Sequence, residues 1–464
     1  GSASDAEVVD VVDPLVELLN TTASGKDGTA EVTFRITDKY FESSGLTVSS
    51  MQLLINGSLT EKGIRLSEAT ALKEQRLVNG TTTTVQYGVQ YTATISGSFT
   101  EDSKQVKIRI PEGVVKDESG NGNKQTDLIV YNVLRSAMEE EAATSNFLGK
   151  AIQRQNIDNI TFEKSIPNSV YDHKTKKITD TTRAWDVSAI GDQSIVAWYV
   201  DSEIRNGIYK VHIANNNQVP GQTVITKNEI FANRNSNNLF AYIGYSNKSA
   251  STEAITNISL LNVSSVTYME CMFRRTGYTA MTALDLGDNF DTSNVTSMVS
   301  MFLGTGYTAM TSFDLGDKFD TSNVTNMSNM FYNMGHTTMT NLNLKSKFNT
   351  SNVTDMSSMF GSTALTSLDL GDEFNTSNVT RMDSMFADCQ KMSTIDLGDK
   401  FDTSRVISIR QMFGRCSELT SVNLGDKFDT SNVIMMDQMF FLSSKLTNIY
   451  LGDKFDTSNV KFMD

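Results

Sequence analysis

The chain has 464 residues, a formal net charge of −14 and a sequence pI near 4.8. Hydrophobic residues make up 39% of the sequence and charged residues 20%, a balance that is typical of folded domains and excludes a disordered chain. Nucleic acids and anionic lipids are bound by clusters of Lys and Arg, so we expect this acidic chain to bind neither. No apolar run approaches the ~18 residues of a membrane span, and we expect no direct membrane insertion.

The two ends of the sequence lie outside any recognisable domain pattern. We interpret residues 1–4, which begin Gly-Ser, as a cloning scar without ordered structure. The chain ends at Asp464, just after a further copy of the C-terminal repeat has begun. We interpret this end as a truncation of the last repeat.

Residues 5–134 have the pattern of an all-β domain. Apolar residues occupy every second position from Ala30 to Ile36, from Val85 to Ile95 and from Val106 to Ile110. A period of two indicates half-buried strands, and several such strands separated by turns are typical of a β-sandwich. The segment Ile110–Asn121 resembles the late strands of bacterial immunoglobulin-like domains. This likeness implies an immunoglobulin-like sandwich.

Two segments connect this domain to the repeats. Residues 135–155 contain Met-Glu-Glu-Glu-Ala-Ala, mostly good helix formers, followed by an apolar stripe, and we predict a helical linker. Residues 156–256 contain alternating apolar runs and both tryptophans, Trp185 and Trp198. We interpret them as a β-rich cap, because the first rung of a stack of repeats would otherwise expose its apolar edge.

Residues 257–464 repeat one motif, Thr-Ser-Asn-Val, followed in most copies by Met-x-x-Met-Phe. Its valine recurs at intervals of 26 to 29 residues, and periods of this length are typical of stacked repeats. The valines are Val266, Val295, Val324, Val353, Val379, Val406, Val433 and Val460. Because a stack presents long side faces, recognition is favoured over catalysis.

Each rung combines two periodicities. Leu284-Asp-Leu286 and its counterparts place two apolar residues around an outward polar one, which predicts a short strand. Val295, Met298 and Met301 are spaced to share one face of a helix, and Asp291–Asn294 supply side chains that cap helix N-termini. We therefore predict a leucine-rich-repeat solenoid of about eight rungs, each a short strand plus a short helix with its methionines in the core.

The repeat resembles the BspA-like leucine-rich-repeat surface proteins of bacteria. Trp185-Asp-Val-Ser188 and Asn238-Leu-Phe240 match segments that precede the repeats in that family, so the resemblance covers about residues 147–464. Arg405 and Ile409 depart from the motif in the sixth rung. The resemblance implies a protein displayed on the bacterial cell surface or secreted, which acts as an adhesin or binding module for proteins of host or neighbouring cells.

Three rungs are longer than the others, and their extra residues create the equivalent positions Tyr278, Tyr307 and His336. Exposed tyrosine buries a large area on binding at low entropic cost, so a ridge of these side chains is a candidate partner-binding site. The alternative is a loop without a function, left by duplication, because the first two long rungs are nearly identical.

The outward strand position forms a second candidate site. It holds Asp285, Asp314, Asp369 and Asp396, with Asn343, Asn423 and Tyr450 in the remaining rungs. Rungs ~4.8 Å apart bring like charges together, and such a column could receive a basic surface or cations. The alternative, which we favour, is a solvated face that neighbouring lysines neutralise.

The sequence contains no recognisable catalytic constellation. Acidic pairs recur in rung after rung as turn residues, whereas a catalytic pair requires one asymmetric cleft. We therefore expect that the protein is not an enzyme, binds no cofactor or metal and is a monomer.

Cys389 and Cys416 lie in adjacent rungs, where buried thiols are favoured over a disulfide. The alternative function is a carbohydrate-binding or carbohydrate-processing surface protein with its site in the cap, near Trp185 and Asp186.

Overall fold

The computed structural model of the protein describes residues 11–41, 44–60, 63–220, 229–371, 373–398 and 401–463. The predicted scar at residues 1–4 lies outside these ranges. Within them the chain consists of strands and turns, and its helices are short 3-10 segments. These are Val48–Ser50, Arg154–Asn156, Asp201–Glu203 and Ile258–Leu260.

The first part of the chain folds into two antiparallel sheets. Its strands are β1 (Leu15–Ser24), β2 (Thr29–Thr37), β3 (Gln52–Ile55), β4 (Ser58–Thr60), β5 (Ile64–Leu66), β6 (Thr70–Val78), β7 (Thr81–Ser96), β8 (Gln105–Ile110) and β9 (Thr126–Asn132). One sheet has the order β1-β2-β7-β5 with β6 paired to β7, and the other has the order β4-β3-β8-β9. Val32, Phe34 and Ile36 are fully buried in the shared core, as their period of two predicts.

A second β-rich segment follows. Its strands are β10 (Asn146–Phe147), β11 (Lys150–Gln153), β12 (Ile157–Phe162), β13 (Tyr171–Asp172), β14 (Lys177–Ile178), β15 (Ala184–Asp186), β16 (Ile195–Trp198), β17 (Tyr209–Asn215), β18 (Ile230–Phe231), β19 (Ile255–Thr256) and β20 (Leu261–Asn262). The largest sheet here is mixed and has the order β15-β16-β17-β12-β19. The ring of Phe231 also packs at a tilt against that of Tyr131, with centroids 4.4 Å apart, and so joins the core of the first part.

The predicted helical linker at residues 135–155 is wrong. The segment contains the hairpin β10–β11, whose turn holds Leu148 and Gly149 at φ of 45° and 87°. The fully buried Arg154 forms an ion pair with Glu140 and donates a hydrogen bond to the carbonyl of Ala241 at 2.8 Å. One of the glutamates that suggested a helix therefore neutralises a buried cation.

The repeats stack in parallel. Their strands are β21 (Ala283–Asp285), β22 (Ser312–Asp314), β23 (Thr394–Asp396), β24 (Ser421–Asn423) and β25 (Asn448–Tyr450). We call this side of the stack, with the equivalent residues of the other rungs, the strand wall. On another side, single parallel bridges join successive rungs and form the turn wall. They connect Asn235, Tyr268, Ser297, Asn326, Asp355, Arg381, Ser408, Met435 and Phe462 in that order.

The predicted fold class, a solenoid with a strand plus a helix in each rung, is wrong, because no described residue of 257–464 lies in an α-helix. Ser300 and Gly304 have φ of 55° and 67°, and left-handed residues recur at equivalent positions in other rungs. The amides of Met298, Ser300 and Phe302 donate to carbonyls of the next rung at 3.1, 2.9 and 2.9 Å. Because these amides donate to the next rung, they are not available for the bonds to the carbonyl four residues back that define an α-helix.

The Asp-Thr-Ser-Asn segment joins rungs and caps no helix. The hydroxyl of Thr321 donates to the carbonyl of Asn349 in the next rung at 2.7 Å. The side-chain amide of Asn323 donates to the carbonyl of Ser293 in the preceding rung at 2.7 Å. One motif therefore satisfies backbone groups on both sides of its rung, which explains why it repeats.

One hydrophobic core runs through the stack and includes residues from Leu134 to Met439. Met298 and Met301 have no exposed surface, which confirms the prediction that the methionines lie in the core. Phenylalanine rings stack from rung to rung, as Phe302 does on Phe331 at 5.7 Å. Each such side chain contributes about 1.5–3 kcal/mol by leaving water.

The stack begins before the predicted boundary at residue 257. The amide of Phe240 donates to the carbonyl of Met272 at 2.8 Å, and its ring stacks on Phe273 at 5.3 Å. Asn235 forms the first bridge of the turn wall with Tyr268. The end of the predicted cap, 156–256, is therefore itself a rung of the stack.

Candidate partner-binding surfaces

Side chains of the long rungs stack into a continuous row, which we call the aromatic ridge. The ring of Tyr278 lies 4.6 Å from that of Tyr307 at an interplanar angle of 9°, and Tyr307 lies 4.7 Å from His336 at 14°. Tyr245 extends the row, with its centroid 5.1 Å from Tyr278. The structure thus brings together the three residues that the sequence predicted and adds a fourth.

Tyr245 was missed because it lies in the segment predicted as cap. The signal was present, since Gly244-Tyr245 matches Gly277-Tyr278 of the first long rung. The backbone confirms the equivalence, because the amide of Gly277 donates to the carbonyl of Ile243 at 2.6 Å. The guanidinium of Arg275 lies 5.8 Å from the Tyr245 ring and places a cation at this end of the ridge.

Hydrogen bonds between neighbouring rungs hold the ridge in place. The hydroxyl of Thr308 donates to the carbonyl of Tyr278 at 2.7 Å, and its amide donates to the same carbonyl at 3.1 Å. At the far end the Nδ1–H of His336 donates to the carbonyl of Ser362 at 2.5 Å. The extra residues are therefore built into the stack, which argues against a loop without contacts.

The stacking determines which atoms of the ridge can meet a ligand. Both faces of the Tyr307 ring are covered, one by Tyr278 and the other by His336. The phenol of Tyr278 is protonated at neutral pH, as in an ordinary tyrosine, and burial raises its pKa further. The ridge residues are half-buried, and the stacking covers ring faces, whereas sugar binding by stacking requires a free aromatic face.

The aspartate column is only partly continuous. Asp285 and Asp314 pair in register, and Asp396 lies beside Asn423, but Asp369 belongs to no described strand. The carboxylate of Asp314 also forms an ion pair with Lys345 at 3.0 Å. Hydrogen bonds from the Gly316 amide and from Lys345 lower the pKa of Asp314.

Each aspartate of the column also has a local role. The carboxylates of Asp285, Asp314, Asp369 and Asp396 accept hydrogen bonds from the amide two residues later, at 2.8, 2.9, 2.9 and 3.1 Å. This bond closes the turn after each strand position, as Asp side chains commonly do. Turn closure is sufficient to explain these residues.

Asp186 in the predicted cap also builds a turn. One of its oxygens accepts bonds from the amide and hydroxyl of Ser188 at 2.8 and 2.6 Å, and the other accepts from the amide of Gln193 at 3.0 Å. Trp185 is buried, and the ammonium of Lys150 lies 5.7 Å from its ring. The side chains of Asp186 and Ser188 are thus occupied by internal hydrogen bonds, whereas the buried indole N–H of Trp185 has no hydrogen-bond partner among the described residues.

Cys389 and Cys416 are free thiols in the core. Cys389 donates to the carbonyl of Phe360 at 3.2 Å, and Cys416 donates to that of Phe386 at 3.1 Å. Burial raises their pKa values to about 11 and about 12, so both are protonated at neutral pH.

Among the described residues, no group of three or more His, Cys, Asp or Glu is placed to hold a metal ion.

A histidine cluster in the second β-rich segment was not foreseen. His212 stacks on Trp198 at 5.5 Å, and its Nδ1 and Nε2 lie 3.0 and 2.8 Å from carboxylates of Glu163 and Glu203. Burial opposes protonation of the ring, but the two carboxylates outweigh it and the pKa of His212 is raised. Glu203 lies nine residues before His212 and Glu163 lies 49 residues before it, and no motif marks the three together.

Comparison with known proteins gives one family match. The family is described as "Mycoplasma protein of unknown function, DUF285", and its model matches residues 244–346, 307–422, 334–449 and 393–464. These segments cover the long and short rungs and leave the preceding residues unmatched. No curated protein and no solved structure matches the chain.

In the part of the chain that the structure describes, no helix has the length and apolar character needed to cross a membrane.

Proposed function

We propose that the protein is a bacterial cell-surface or secreted binding module, an adhesin whose aromatic ridge contacts a protein of a host or neighbouring cell. The single observation that carries this proposal is the aromatic row in which Tyr278, Tyr307 and His336 stack and Tyr245 packs at a tilt against one end. Tyrosine is enriched among the residues that dominate protein interfaces. The bacterial surface location rests on the resemblance to BspA-like proteins, and the description of the matched family names a bacterium.

A protein ligand fits the ridge better than a carbohydrate does. Stacked rings offer hydroxyl groups and edges at regular spacing, which can hydrogen-bond to a polypeptide surface. The stack fixes the rings before binding, so little side-chain entropy is lost on association. Arg275 adds a cation at one end, which favours a partner with a carboxylate at the matching position.

The test compares binding of the full chain to panels of host and bacterial surface proteins and to a glycan array. Tyr278→Ser with Tyr307→Ser is expected to lower affinity for the captured protein by at least about tenfold, because interface tyrosines often contribute about 2 kcal/mol. Tyr268→Ser removes an exposed tyrosine on the turn wall and serves as the matched control. Binding to glycans alone, or equal binding by both variants, would exclude the proposal.

A further inference from the structure

The strand wall is interrupted in the middle of the stack. β21 pairs with β22, and β23 pairs with β24 and β25, but the equivalent residues 341–343 and 367–369 form no strand. Within the described ranges, no backbone hydrogen bond joins 341–344 to 312–315 or to 368–371. The turn wall is continuous through the same rungs. The rungs therefore remain stacked while one wall opens.

The space around the glycine that follows each strand position shows the same opening. A Cβ on Gly316 would lie 2.1 Å from the carbonyl oxygen of Gly287, and one on Gly452 would lie 2.3 Å from that of Gly425. Where strands pair, this position thus packs directly against the preceding rung. A Cβ on Gly371 would meet nothing within 4 Å.

Two features of the sequence account for the opening. The glycine position is occupied by Lys345, whose Cβ prevents the close approach that Gly316 makes. The next rung has the shortest connection between its core phenylalanine, Phe360, and the core residue before its strand position, Leu365. The equivalent connection in the preceding rung runs from Phe331 to Met339. A shorter connection draws the strand position of that rung out of line with its neighbours.

The opening has the chemistry of a peptide groove. It is an open depression of about 720 Å³, and its lining includes the buried apolar side chains of Leu342, Leu344 and Phe348. Asp369 and Glu373 lie exposed at its border. Among the described residues that line it, Lys345 is the one lysine, and its ammonium is held by Asp314. The border is therefore acidic, on an acidic chain.

From these observations we infer that the opening binds an extended, basic polypeptide segment of a partner by strand addition. The backbone groups at 341–344 and 368–371 have no ladder partner among the described residues, and a bound strand would satisfy them. Apolar side chains at alternate positions of the strand would contact the apolar lining, and Lys or Arg between them would meet the acidic border. This site is separate from the aromatic ridge and does not depend on the ridge proposal.

The experiment uses the full chain and a synthetic peptide of alternating valine and lysine. Amide hydrogen exchange is expected to slow at Leu342–Leu344 and Leu368–Leu370 on binding, and to remain unchanged at β24. An alternating valine and glutamate peptide tests the charge, and a block peptide of valine and lysine tests the alternation. Both are expected to bind on the order of tenfold more weakly or not at all.

Two matched variants locate the site. Asp369→Arg places a cation at the opening and is expected to lower affinity for the valine–lysine peptide on the order of tenfold. Asp285→Arg loses the same turn-closing bond in a paired strand and is expected to leave affinity unchanged. No protection at the opening, equal binding of the three peptides, or equal loss in both variants would overturn the inference.

Discussion

At the scale of single residues, threonine provides the most regular contact between rungs. The hydroxyl of Thr292 is fully buried, donates to the carbonyl of Asp320 at 2.7 Å and accepts from its amide at 2.8 Å. Thr430 makes the same pair of bonds to Asp456, both at 2.7 Å. A single hydroxyl thus satisfies both groups of one residue in the next rung.

Thr292→Val tests this contact, because valine has nearly the same shape but no hydroxyl. Both backbone groups of Asp320 would lose a partner, and we expect the free energy of unfolding to fall by about 1–3 kcal/mol. Chemical denaturation measures the change. Thr292→Ser retains both bonds and should lose much less, and Thr311→Val, at an exposed position, should have little effect. Equal stability of the Val and Ser variants would show that the hydroxyl contributes nothing.

His212 predicts a pH dependence of stability. Its folded pKa is raised above the value of about 6.5 expected in the unfolded chain, so the stabilisation is complete below about pH 6.5. It is lost as the pH rises through the folded pKa, because the neutral ring no longer attracts Glu163 and Glu203. Denaturation midpoints measured on both sides of this range should fall with rising pH in the wild-type chain and change less in His212→Gln. Identical slopes for the two chains would refute this role.

At the scale of elements, the turn wall depends on residues that adopt left-handed backbone conformations. Ser358 has a φ of 55°, and its amide donates to the carbonyl of Asp383 in the next rung at 2.8 Å. Equivalent serines, Ser300 and Ser384, have φ of 55° and 57°. A left-handed residue at this position of each rung is incompatible with an α-helix there.

Ser358→Val is expected to destabilise the chain by about 1–2 kcal/mol, because a branched side chain is strained at positive φ. Ser358→Gly relieves the strain and should be neutral or stabilising. The neighbouring Ser357→Val is the matched control, since Ser357 is not among the positive-φ residues. Thermal unfolding compares the three variants. A helical turn wall would instead tolerate Val at both positions and lose stability with Gly.

The repeat and its core were predictable, whereas the conformation of the turn wall was not. The spacing of Val295, Met298 and Met301 correctly identified buried residues. It also indicated a helix, because a series of turns such as that from Met298 to Met301, closed by a 3.2 Å bond, returns side chains to the core at the same spacing. Serine at position 300 gives no strong signal for a left-handed backbone, as glycine would have done.

Of the two candidate sites, one could be predicted from the sequence and the other could not. The ridge follows directly from the repeat period, so Tyr278, Tyr307 and His336 could be aligned by sequence alone. The opening in the strand wall could not, because it depends on how closely the backbones of successive rungs approach. The substitution of Lys345 for the recurring glycine was visible, but its consequence required coordinates.

At the scale of the whole molecule, the central claim is that parallel stacking converts a sequence repeat into rows of equivalent side chains. Residues one rung apart lie at the ladder spacing of about 4.8 Å, and residues two rungs apart lie at about twice that distance. The bond from the Thr308 amide to the Tyr278 carbonyl, at 3.1 Å, shows that the ridge loops follow this ladder. Both proposed surfaces depend on this alignment.

Engineered disulfides on the ridge test this claim most directly. Tyr278→Cys with Tyr307→Cys should form a disulfide, because a bond requires Cα atoms about 4.4–6.8 Å apart. Tyr278→Cys with His336→Cys should not, because two rungs separate these positions. Thiol titration of the unfolded, unreduced variants gives the result. Each variant has five cysteines, and parallel stacking predicts three free thiols in the first variant and five in the second. A bond in the second variant, or in neither, would contradict parallel stacking.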